Sequence, residues 1–318
     1  MRLWRRRWFW IIAAALILTT ASVFSAPGFL ELLWRVKLNA AVRRLPDAAP
    51  LQSSDRLLVI SPHPDDEVLA CGGVILQALR AGASVDVVWL TSGDASELGE
   101  ALAAKTAHPS ASEMLDLGEL RMAEARAAAR ILGLAPERLY FLGYPDDGLL
   151  RLFLDYYYAP YSSELTGANK VPYREAFRQG AAYTGKNLQK DLDTLVDRLQ
   201  PTVVCVPALQ DHHPDHRAAA YFALRSFGAR HQLERLRFYM VHGGKHWPLP
   251  KGLHRRLPLA VAPRAKDLKW VKVQLPEADL DLKLAALREY ESQMRVEAYF
   301  LKAFIRRNEL FSLGVEPE

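Results

Sequence analysis

Three acidic residues stand side by side in SPHPDDEVLACGG (61–73): Asp65, Asp66 and Glu67, just after His63. Adjacent carboxylates repel one another, and in a partly desolvated turn that repulsion is costly unless a cation or a shared proton relieves it. A second segment, DHHPDH (211–216), supplies Asp211, His212, His213, Asp215 and His216. Two imidazoles and one carboxylate, His63, His216 and Asp66, suit Zn2+ and leave a fourth position for water, as in catalytic rather than structural sites. Water so held ionises near neutral pH and attacks a carbonyl. On this reading Asp65 stays off the metal and takes the proton, while His213 stabilises the oxyanion or protonates a leaving amine. Each segment alone also reads as a helix N-terminus whose acids cap it and complement its dipole. Capping explains one such segment more easily than two at the ends of two strands.

The elements that must position these residues follow from the surrounding pattern. RLLVI (56–60) leads directly into the first segment and TVVCVPA (202–208) into the second. The strand-like runs VDVVWLTS (85–92) and RLYFLG (138–143) alternate with the helical stretches EVLACGGVILQALRAGA, ELRMAEARAAARILG and NLQKDLDTLVDRLQ. Short β-branched runs followed by periodic helices predict βαβ units, hence an α/β, Rossmann-like, mostly parallel sheet with helices on both faces. In such sheets functional groups collect beyond the carboxyl ends of the strands. The long, Tyr-rich region 144–187 reads as a lid or substrate wall. VHGGKHWP (241–248) either ends a strand in a glycine turn or brings His242 and Trp247 to the pocket rim. LDLKLAALREYESQM and EAYFLKAFIRRNELFSL read as two amphipathic helices that pack on the core. The chain has no Gly-rich phosphate loop and no nucleophile elbow. Cys71 and Cys205 read as two small buried thiols.

Charge is concentrated at one end. Eight of the 41 Lys and Arg residues fall within the first fifty positions, against Glu31 and Asp47, which leaves 33 basic and 34 acidic residues beyond. A nearly neutral body gives no reason to expect a nucleic-acid partner. Four arginines precede 23 residues, Trp8 to Leu30, without a formal charge. As a helix these reach about 35 Å, enough for a hydrocarbon core of about 30 Å. The expected organisation is a basic leader and transmembrane anchor over 1–30, a juxtamembrane linker over 31–54 and a catalytic domain over 55–318. Positive charge before the span predicts a single-pass membrane protein with its domain on the extracytoplasmic side. A cleaved signal peptide, cut near Ser25 and Ala26, is the competing reading.

HPDDE and HPDH, together with TSGD (91–94), RMAEA (121–125) and YPDDG (144–148), run in this order between about Arg56 and about Ala220. That set resembles the PIG-L/LmbE family of zinc-dependent N-deacetylases. The resemblance implies one zinc ion per chain on His63, Asp66 and His216, and Asp65 as general base. It implies His213 at the oxyanion or leaving group, with Asp215 tuning it. It also implies that Asp94, Arg121 and Asp146 face the sugar, Asp147 being the alternative to Asp146. Arg121 reads equally well as pairing with Glu119 or Glu124 along its helix. The implied reaction removes an N-acetyl group from a GlcNAc-type sugar of a glycan, a lipid-linked sugar or a glycoconjugate, with tyrosines of the long loop stacking on sugar rings. Two other readings stand beside it: a zinc hydrolase of another amide or ester, and an idle, membrane-anchored glycan-binding module, which would not need Asp65.

Overall fold

The computed structural model describes residues 27–96 and 109–313. Five strands run parallel: β1 (Arg56–Ser61), β2 (Ser84–Thr91), β3 (Leu139–Tyr144), β4 (Val203–Pro207) and β5 (Leu236–Tyr239). Two more, β6 (Trp270–Gln274) and β7 (Asn308–Leu313), complete a sheet of order β3-β2-β1-β4-β5-β7-β6, with β7 antiparallel to both neighbours. β1 is buried from Leu57 to Ser61, as expected of a central strand covered on both faces.

The helices are α1 (Pro27–Val42), α2 (Asp66–Arg80), α3 (Ala111–Ile131), α4 (Leu149–Leu154), α5 (Gly185–Leu199), α6 (Pro214–Gly228), α7 (Glu277–Arg288) and α8 (Glu291–Leu301). α2 and α3 both pack on α7, whereas α4, α5 and α6 pack on one another. The crossover β1–α2–β2 steps one way along the sheet and β4–α6–β5 the other. Because such crossovers are right-handed, the two helix sets lie on opposite faces, and the order reverses between β1 and β4. Both motif segments leave the sheet at that reversal.

Two regions differ from expectation. The second C-terminal helix stops at Leu301, and NELFSL forms strand β7. Its Glu309 is fully buried, paired with Lys283 Nζ at 2.6 Å and accepting from the Gly73 and Val74 N–H groups. That distant satisfaction, with pairing to β6, overrides the local helical pattern. The stretch 31–54, expected as a linker, lies against the domain. Leu38 and Val42 are buried, Lys272 N donates to Pro46 O at 2.9 Å, and Ala48 N donates to Lys272 O at 2.8 Å, which extends the edge of the sheet beside β6.

The expected membrane span, Trp8 to Leu30, lies outside the described residues except for its last four, which open α1. Among the described residues no helix is long and apolar enough to cross a membrane. Cys71 and Cys205 are free and buried.

Candidate active site

β1 ends in a turn that holds His63 and Asp65, the N-cap of α2, and Asp66 opens that helix. Asp66 Oδ2 lies 3.2 Å from His63 Nδ1 and accepts from the His63 backbone N–H at 3.1 Å. The segment after β4 brings His216, in the first turn of α6, to 3.1 Å from the same oxygen through Nε2. Two imidazole nitrogens and one carboxylate oxygen therefore converge. A tetrahedral ion with bonds of about 2.0–2.1 Å holds its ligand atoms about 3.3 Å apart, close to the two spacings that Asp66 makes with the imidazoles. His216 Nε2 is buried with no hydrogen-bond partner of good geometry. The donor set fits a divalent cation such as zinc.

The far nitrogen of each imidazole meets another carboxylate. His63 Nε2 is 3.0 Å from Asp146 Oδ1 and 3.5 Å from Asp215 Oδ2. His216 Nδ1 is 3.2 Å from Asp211 Oδ2. Such outer carboxylates fix ring orientation and raise ligand basicity. Electrostatics agree: burial opposes the charged form of His216, but Asp66 and Asp211 push it up to about 9. Burial would raise Asp66, yet His216 and His63 hold it well below the usual carboxylate range. Buried Asp66, Asp211 and Asp215, with half-buried Asp146, surround the two imidazoles and make a setting that attracts a cation.

Asp65 is buried at a backbone φ of 126°, a region that non-glycine residues rarely enter. Its carboxylate lies 3.4 Å from Arg121 Nη2. Burial raises its proton affinity well above the usual range, with the Arg121 charge opposing. His213 is the N-cap of α6. Its Nδ1 accepts from the Asp215 N–H at 3.2 Å, which leaves the ring proton on Nε2. Burial, then the neighbouring imidazoles His63, His216 and His242, push its pKa down to about 2, so the ring is neutral at physiological pH.

The remaining expected residues are distributed less simply. Asp215 meets His213 through its backbone N–H, while its carboxylate faces His63 and accepts from the Leu149 N–H at 3.0 Å. Asp146 faces His63, and of the pair 146–147 it is the inward one, with Asp147 exposed. Asp94 is buried, its carboxylate accepting from Tyr173 Oη at 2.5 Å and from the Asp146 N–H at 3.3 Å, and it is not among the residues lining the catalytic pocket. Arg121 does line that pocket, with Nη1 donating to Gly93 O at 2.9 Å and Nη2 to Pro64 O at 2.7 Å. Gly93 has φ of 71°, and a Cβ there would lie 2.2 Å from Arg121 Nη1, so the TSGD turn must carry glycine for the arginine to dock. Glu124 binds Ser292 rather than Arg121.

The pocket has a volume of about 340 Å³ and joins His63, Asp65, Asp66, Arg121, Asp146 and His213 to Ala95, Asp147, His242, Gln293, Glu297 and Phe300. Sequence reasoning assigned Asp211 no role, although an acid just before a His-rich candidate ligand segment is a usable signal. It also missed the wall from α8, which had been read as packing. His242, left open, reaches the rim with Nδ1 3.3 Å from Asp211 Oδ1. The tyrosines expected to meet sugar do not line the pocket: Tyr161, Tyr173 and Tyr183 are buried in the core.

Fold and site together define an α/β protein with a pocket lined by histidine and aspartate at a topological switch point. The chain matches the PIG-L family, GlcNAc-PI de-N-acetylase, over residues 58–227, and it belongs to that family, whose members are metal-dependent N-deacetylases. It is 30% identical over 206 residues to the 1D-myo-inositol 2-acetamido-2-deoxy-alpha-D-glucopyranoside deacetylase of Kribbella flavida, covering 62% of this chain and 60% of that one. This chain thus spans less than two thirds of that relative's length. The enzyme of the same name from Actinosynnema mirum is 31% identical over 260 residues, covering 77% and 83% respectively. The crystal structure of the A40926 pseudoaglycone deacetylase superposes with a TM-score of 0.52 at 19% identity, covering 83% of this chain and 99% of that one, a likeness of fold.

Proposed function

We propose that this protein is a zinc-dependent hydrolase that removes the N-acetyl group from a GlcNAc-type sugar. The observation that carries this reading is that Asp66 meets both His63 and His216, in a pocket lined by His63, Asp65, Asp66 and His213. The kinship with deacetylases of 2-acetamido sugars supports the substrate class. A zinc ion on His63, Asp66 and His216 would supply Lewis acidity and lower the pKa of water.

The chain's own residues supply the rest. Asp65 is the proton acceptor, a carboxylate made more basic by burial and aimed by its strained backbone and by Arg121. Neutral His213 presents Nε2–H, which suits it to donate a hydrogen bond to the developing oxyanion rather than to act as a cationic acid. Asp146 and Asp215 hold His63, and Asp211 holds His216. Arg121 and Asp147, with Phe300 opposite, line the space for the sugar.

The direct experiment measures acetate released from a panel of N-acetylated sugars by the full chain, with bound metal determined in parallel. About one zinc per chain and acetate release that chelation abolishes are expected; release unaffected by a chelator overturns the metal reading. His216→Ala should lose the ion, because two remaining ligands hold it poorly. We further propose that the domain faces the extracytoplasmic side, tethered by Trp8 to Leu30. The arginines before that uncharged run support this orientation. A reporter active only outside the cytoplasm, fused after Glu318, should be active; an active cytoplasm-only reporter rejects it.

A further inference from the structure

A second cavity, about 790 Å³, opens beside the catalytic pocket and shares His242, Glu297 and Phe300 with it. Ligand sites run to about 300–1,000 Å³, so both spaces are of binding-site size, and the two share a wall. Their charge is opposite. The catalytic pocket is lined by Asp65, Asp66, Asp146 and Asp147 against Arg121. The second is lined by Lys245, Lys251 and Arg264 against Glu297, with Trp247, Tyr299 and Phe300 as aromatic walls.

These groups are set by the fold rather than scattered over a surface. Lys251 Nζ donates to Trp247 O at 2.9 Å and stands 4.2 Å from the Phe300 ring centre. Trp247 is only 8% exposed and donates through Nε1 to Ala260 O at 2.8 Å, which fixes its plane. Arg264 is held by donation from Nε to Gln210 O at 3.0 Å, which leaves the terminal nitrogens of an exposed side chain for a ligand. Planar aromatic walls suit ring faces, and a guanidinium with two ammonium groups suits an oxyanion.

We propose that this cavity binds an acidic sugar unit linked to the N-acetylated one, making the preferred substrate a negatively charged oligosaccharide. The inference rests on the deacetylase reading for the neighbouring pocket. The acid-lined pocket takes the uncharged acetamido sugar, and the basic annex takes its carboxylate-bearing neighbour. Opposed charge thereby sets the direction in which the chain lies.

The test compares binding to the full-length, zinc-loaded protein in detergent, measured by calorimetry with the Asp65→Asn variant to prevent turnover. The probes are a hyaluronan tetrasaccharide, in which N-acetylglucosamine alternates with glucuronate; the neutral chitotetraose of equal length; and N-acetylglucosamine 1-phosphate. The acidic tetrasaccharide should bind at least about tenfold more tightly than the neutral one, and the advantage should shrink as salt rises. It should vanish in the Lys245→Gln, Arg264→Gln double variant, whose changes are on exposed side chains. Equal affinity for the two tetrasaccharides, or an advantage that survives the double variant, overturns the proposal. Tighter binding of the 1-phosphate than of the acidic tetrasaccharide also overturns it, by placing the preferred charge on the sugar's own phosphate. Binding is read without acetate release, so a failed deacetylase assay on the unmodified protein would count against the catalytic reading alone.

Discussion

The turn after β1 and the turn after β4 share the letters His-Pro-Asp, yet they hold their residues by different means. After β1, Asp65 sits at φ 126°, a conformation that costs on the order of 1–3 kcal/mol for a non-glycine residue. Its N–H is held by Glu67 Oε2 at 3.1 Å; Glu67 in turn accepts from Trp89 Nε1 at 3.0 Å and from the Tyr290 hydroxyl. After β4, His213 has the ordinary extended φ of −73° of an N-cap. There Asp211 accepts from the backbone N–H groups of His213, Val241 and His242 at 2.9, 3.0 and 2.9 Å while facing His216. On the proposed mechanism the first turn stores strain to aim Asp65 as the base, and the relaxed second turn sets Asp211 behind the ligand His216. Loss of Asp65 from the first should therefore appear in turnover, and loss of Asp211 from the second in metal affinity.

The largest expected effect tests the first half of that contrast. Asp65→Asn keeps size and shape but cannot accept a proton, so turnover should fall by roughly 10² to 10⁴ with zinc retained. Its neighbour separates the roles: Asp66→Asn exchanges an anionic ligand for a weaker neutral one, so bound zinc should fall and activity return in part with excess zinc. Acetate release titrated against zinc decides the matter. Zinc rescue of Asp65→Asn, with full occupancy and no rescue in Asp66→Asn, would exchange the assignments.

The second turn should respond differently. Asp211→Asn removes the negative charge behind His216 and should weaken zinc binding by roughly 10- to 100-fold, while kcat at saturating zinc stays near that of the parent. Competition with a chromophoric chelator reads the affinity. A large loss of kcat at full occupancy would mean that Asp211 acts on the chemistry, and the contrast between the turns would collapse.

What the sequence disclosed follows the range of the interactions involved. β1 to β4 and the approach of His63, Asp66 and His216 were legible because each depends on a short apolar run followed by a turn, and switch-point geometry brings the two turns together. The Phe300 and Glu297 wall was not, because a helix that packs and a helix that lines a pocket carry the same periodicity. Nor did the Tyr-rich composition of 144–187 disclose direction: Tyr173 turns inward to Asp94, and Tyr183 to Gly143 O. β7 was hidden for a related reason. Its place depends on Glu309 meeting Lys283 and the Gly73 and Val74 N–H groups, partners scattered along the chain.

The smallest effect probes whether the strained turn is held from a distance. Tyr290 follows α7 and does not line the pocket, yet its hydroxyl donates to Glu67, whose other oxygen holds the Asp65 N–H. Burial raises the Glu67 pKa to about 7, against the hydrogen bonds from Tyr290 and Trp89, which favour the ionised form. Tyr290→Phe removes one of those donors, so the Glu67 pKa should rise further and its carboxyl should be protonated over more of the neutral range. A protonated carboxyl is a poorer acceptor for the Asp65 N–H, which loosens the aim of the base. A hydrogen bond to a charged group contributes about 1.5–3 kcal/mol, only part of it felt at the reacting atoms, so kcat should fall by no more than about tenfold. Because Glu67 is already largely protonated at pH 6 in the parent, the loss relative to the parent should be larger at pH 8 than at pH 6, with KM and bound zinc unchanged. A purely structural role would instead lower thermal stability with a loss of kcat that does not vary with pH. A pH-independent loss, or a loss of zinc, would break the link between Tyr290 and the aim of Asp65.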